Sequence, residues 1–185
     1  MYTQKKPTLA ARLGMTTHES PLRHKIIKIM SLSGADKSGS IEDWLVALAN
    51  HRGFRVVFAG NQLINENILP SKNDFTDEEL VVALCLLQCS DRPQILRLAA
   101  QCISRGDINE DRLFRLIQME RVGPILKELA NQALHVDPGH VAWNHIANRL
   151  DNERAMRGPI IHWSRLAEPI FAARSAKNIG WKLVC

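Results

Sequence analysis

The string Thr76-Asp77-Glu78-Glu79 followed by eight unbroken apolar residues, Leu80 to Leu87, constrains this chain more than any other feature. A threonine with a glutamate three residues later is a capping box. It satisfies two of the backbone donors that open a helix, and the acidic side chains complement the positive end of the helix dipole. Apolar residues then cover nearly every face, so the helix, expected to run to about Gln88, must lie at the centre of its fold. Eight apolar residues are too few to span a bilayer, which implies no membrane partner.

The same punctuation recurs on both sides. Ser20-Pro21 opens a segment whose apolar residues Leu22, Ile26, Ile27, Ile29 and Met30 keep helical spacing over 21–32. Ser40 caps a helix over Ile41 to His51, with Trp44, Leu45, Leu48 and Ala49 on its apolar face. Pro93, Asn109, the Gly123-Pro124 pair and the Asp137-Pro138 pair mark four further helices, with Trp143 near the edge of the last apolar face. Between these regions, Phe54-Arg55-Val56-Val57-Phe58-Ala59, then Gly60-Asn61 and Gln62-Leu63-Ile64, reads as a short β-hairpin with a type II′ turn. Ile160-Ile161-His162-Trp163 and Trp181-Lys182-Leu183-Val184 are expected as short C-terminal strands that pair with that hairpin.

The expected fold class is therefore mainly α: an array of stacked helical hairpins with a small β-hairpin and minor C-terminal β structure. Aromatics at 5% of the chain suit packed helices better than a β-sandwich. The parts are a basic N-terminal region with the hairpin (1–74), a five-helix array (75–151) and a basic C-terminal extension packed on the same domain (152–185). An echo runs through the array. Pro93, Leu98, Ala99, Gln101 and Ile103 match Pro124, Leu129, Ala130, Gln132 and Leu134 at an offset of 31. Two copies of a helical hairpin resemble units of an α-solenoid, though a free-standing solenoid needs about three.

Charge is unevenly placed. Residues 1–30 carry six Lys or Arg against Glu19 alone, whereas residues 73–150 hold eleven acidic and eight basic groups. Basic ends can meet phosphate or an acidic partner. Arg23, Lys25 and Lys28 on one helix, with Arg52 and Arg55 at the base of the hairpin, form the candidate nucleic-acid or anion-binding set. Trp44, His51, His162, Trp163 and Arg165 form a candidate pocket.

Catalytic and metal chemistry find little footing. His135, His140 and His145 are five apart, so they do not share a helix face, and zinc ligands on a helix want spacings of three or four. Cys85 and Cys89 share a face and Cys102 is on the next helix, but apolar neighbours disfavour a thiolate. Free thiols fit a reducing compartment and a cytoplasmic location. No cofactor, metal or catalytic residue is assigned. The expected function is a non-enzymatic interaction or regulatory module with a protein partner. The alternatives are nucleic-acid binding through the basic ends and an enzyme with a site of unfamiliar form.

Overall fold

The structure, a computed structural model, describes residues 20–34, 40–54, 69–86, 92–105, 107–156, 160–170 and 180–183. Among these are seven α-helices: α1 Pro21–Ser33, α2 Ile41–His51, α3 Asp77–Cys85, α4 Pro93–Arg105, α5 Glu110–Glu120, α6 Gly123–Val136 and α7 Val141–Arg149. The molecule is mainly helical. No described helix is long and apolar enough to cross a membrane.

The caps sit where the sequence puts them. The Ser20 hydroxyl accepts from the Arg23 N–H, and Ser40 makes a capping box with Asp43. Thr76 and Glu79 bond reciprocally at the start of α3, and Asn109 accepts from Arg112 at the start of α5. All nine residues of α3 are buried. Leu80, Val81, Val82 and Leu84 are fully enclosed, each contributing about 1.5–3 kcal/mol by burial. α3 packs most extensively on α4, next on α5, and also touches α1 and α2. α6 packs chiefly on α7, and α4 bridges to both. One cluster of buried apolar side chains runs through all seven helices, from Leu22 to Leu166.

Several expectations are corrected. α3 stops at Cys85, three residues early, because Leu86 adopts an extended backbone (φ −57°, ψ 145°). α7 begins at Val141 and not at Pro138. Asp137 closes α6, its carboxylate accepts from the Gly139 N–H, and His140 takes the cap position. Trp143 is fully buried, and its indole N–H donates to Ser104 on α4 at 2.8 Å. The repeat does not produce two equal hairpins, since α5 packs on α3 and α6 on α7. The strand expected at 160–163 is a bend leading into a 3-10 turn, Trp163–Arg165, because the His162 side chain accepts from the Ser164 N–H and caps it. After that turn β1 (Ala167–Ile170) pairs antiparallel with β2 (Gly180–Leu183), Ala167 opposite Leu183. The hairpin expected over 54–64 lies outside the described residues except for Phe54.

Candidate functional site

Two neighbouring features concentrate charged side chains: the N-terminal turn of α3 and the outer face of α1. Asp77, Glu78 and Glu79 are all buried at the start of α3. A buried carboxylate needs a partner, because removing a charge from water costs several kcal/mol. Here the partners come from four separate segments. Arg52, just past α2, pairs with Asp77 at 2.8 Å and also donates to the Phe75 carbonyl. Lys72 reaches the other oxygen of Asp77 at 2.6 Å. Lys25 on α1 grips both oxygens of Glu79 at 2.7 and 2.9 Å. Glu78 accepts from the Asn109 backbone at 2.8 Å, with Arg112 3.9 Å from its other oxygen. The acidic turn is thus a junction joining α1, α2, α3 and α5.

Cys102 on α4 is enclosed beside this junction. Burial pushes its thiol far above the ordinary range, and the Asp77 carboxylate adds to the effect. Cys85 is likewise buried and outside any disulfide. A neutral, enclosed thiol is a small hydrophobe and not a nucleophile. Among the described residues no group of three or more His, Cys, Asp or Glu side chains is placed to hold a metal ion.

α1 is also held from α5. The Glu120 carboxylate, at the end of α5, accepts from the Leu22 N–H at 2.7 Å across 98 residues of chain. Its other oxygen is buried with no hydrogen-bond partner. A carboxylate at a helix N-terminus satisfies an open donor and the dipole together. With Leu22, Ile26 and Met30 buried, the opposite side of α1 faces outward. It carries Arg23, His24, Ile27, Lys28, Ser31 and Leu32, all exposed, and the helix contains no acidic residue. Ile27 is 42% exposed and Leu32 80%.

The candidate anion set therefore divides. Arg52 is occupied inside the protein, its side chain only 4% exposed, and Lys25 is committed to Glu79. Arg23 and Lys28 are exposed on the outer face of α1, and Arg55 lies outside the described residues. The candidate pocket divides too. Trp44 is fully buried against Phe75, ring centroids 5.6 Å apart and nearly perpendicular, while His51 is exposed at the end of the same helix. His162, Trp163 and Arg165 belong to the 3-10 turn against α6, where the Trp163 N–H donates to Gln132 at 3.0 Å and its ring lies 5.2 Å from those of His135 and His162. Sequence reasoning missed Glu120 and the burial of Asp77, Glu78 and Glu79. Only the density of three acids before the most apolar run signalled the latter. In comparisons with known protein families, curated proteins and solved structures, nothing matches this chain.

Proposed function

We propose that this protein is a non-enzymatic interaction module whose helical array presents α1 to a protein partner. The carrying observation is the exposure of Ile27 and Leu32 on a helix otherwise anchored by its buried face and by Glu79 and Glu120. Much of the charge that the sequence offers for chemistry is spent on holding helices together. What faces outward on α1 is a basic surface with large apolar side chains, the composition of a contact surface rather than of a reaction centre.

A photo-crosslinking residue placed at Leu32 tests the reading, with Asn131, exposed on α6, as the control. In living cells the Leu32 position is expected to give a discrete protein adduct that the control lacks. Identical adduct patterns at the two positions overturn the proposal. A second reading, nucleic-acid binding, is favoured by the exposure of Arg23 and Lys28 on an acid-free helix. Anisotropy of labelled duplex DNA and single-stranded RNA over a salt series tests it. Binding that falls steeply with salt and weakens on Arg23→Ala supports it, and no binding at low salt removes it.

A further inference from the structure

We infer that the segment docking on α1 is an acidic peptide with carboxylates along its middle and apolar side chains on both flanks. This rests on α1 being the presented element. At about 100° per residue, the outward half of α1 runs in angular order Arg23, Ile27, Ser31, His24, Lys28, Leu32. Ile27 and Leu32 therefore stand about 140° apart with polar groups between them. An ordinary amphipathic helix, with an apolar seam at its centre, would bury Lys28 under hydrocarbon, where an unpaired ammonium is costly. A segment with a central acidic strip gives Lys28 its counter-charge and His24 a hydrogen-bond partner, while its flanks cover Ile27 and Leu32. The protein already shows the pairing once within itself, where Lys25 at the border of this face is matched by the Glu79 carboxylate at 2.7 Å. α1 offers no acidic side chain of its own to compete with an incoming one.

The test uses three synthetic helical peptides of equal length on the full chain: Glu along the centre with Leu on both flanks, Lys in place of Glu, and a single central Leu seam with Glu outside. Fluorescence anisotropy is followed at low and high salt. The Glu-centred peptide is expected to bind best and to weaken with salt. Lys28→Glu is expected to weaken it about tenfold, and Leu32→Ser to weaken it without changing the salt dependence. Equal binding of the Glu and Lys peptides, or tighter binding of the Leu-seam peptide, overturns the inference. If Leu32 crosslinks a protein in cells while the Glu-centred peptide fails to bind, the inference falls and the interaction reading stands. If Leu32 gives no specific adduct, the interaction reading itself falls. RNA binding tighter than the Glu-centred peptide, and lost in Lys28→Glu, overturns both in favour of the nucleic-acid reading.

Discussion

Replacing Arg52 by methionine removes the most enclosed cation of the junction while keeping an apolar stem of similar length. Asp77, its side chain 8% exposed, then retains only Lys72, which is itself 68% exposed, and the Phe75 carbonyl loses its donor. Both lost bonds have an ionised donor, and a charge-assisted hydrogen bond is worth about 1.5–3 kcal/mol, so the loss comes to at least about 3 kcal/mol. The surviving Lys72 pair keeps it at the lower end of the range for a broken buried ion pair, about 3–5 kcal/mol. With a urea slope of about 2 kcal/mol/M, the unfolding midpoint should fall by about 1.5 M at unchanged slope. The interaction itself is isolated by a cycle of Arg52→Met, Asp77→Asn and the double variant. A coupling of about 1.5–3 kcal/mol is expected for a buried, hydrogen-bonded pair. A coupling below about 0.5 kcal/mol, the value of an exposed ion pair, would refute the view that the junction holds the helices together.

Glu120→Ala should cost about 1–2 kcal/mol in chemical denaturation by uncapping α1, whereas Glu120→Gln, which keeps the acceptor for Leu22, should cost less than half of that. Equal losses in the two variants would show that the hydrogen bond to Leu22 contributes nothing. Arg121 closes α5 at φ 56°, a backbone conformation that disfavours side chains, so Arg121→Gly should raise stability by about 1 kcal/mol. A lower melting temperature would contradict this. Cys102 should resist a thiol reagent in the native protein and react only at the rate of unfolding, as followed by peptide mapping. Its folded pKa lies above the unfolded value, so the stability that comes from the protonated thiol is complete below the ordinary thiol range. It is lost as pH rises through and beyond that range, and Cys102→Ala should remove this alkaline decline.

The helices were legible because their ends are written locally. Ser20, Ser40, Thr76 and Asn109 each bond within three residues, and such contacts can be read from spacing. The centrality of α3 was legible from its apolar run. What escaped was long-range. Glu120 ends one helix and caps another 98 residues away, and no local pattern encodes that. Arg52 and Lys25 were read as free cations because charge alone does not reveal an internal counter-ion. Asp137-Pro138 was misread because the same pair can close one helix as well as open the next. The candidate pocket joined residues that pack on different helices, since His and Trp carry no spacing signal that ties α2 to the 3-10 turn.

The cations that neutralise the start of α3 lie at positions 25, 52, 72 and 112, with the carboxylates at 77, 78 and 79. A chain cut at residue 75 would leave Asp77 and Glu79 with no cation from this junction and only Glu78 supported, through Asn109 and Arg112. The helical array is therefore not a portable part. It cannot be excised, transplanted or shortened at its N-terminal side without its preceding 50 or so residues, and a truncation made to find the smallest working fragment should aggregate before it loses a partner.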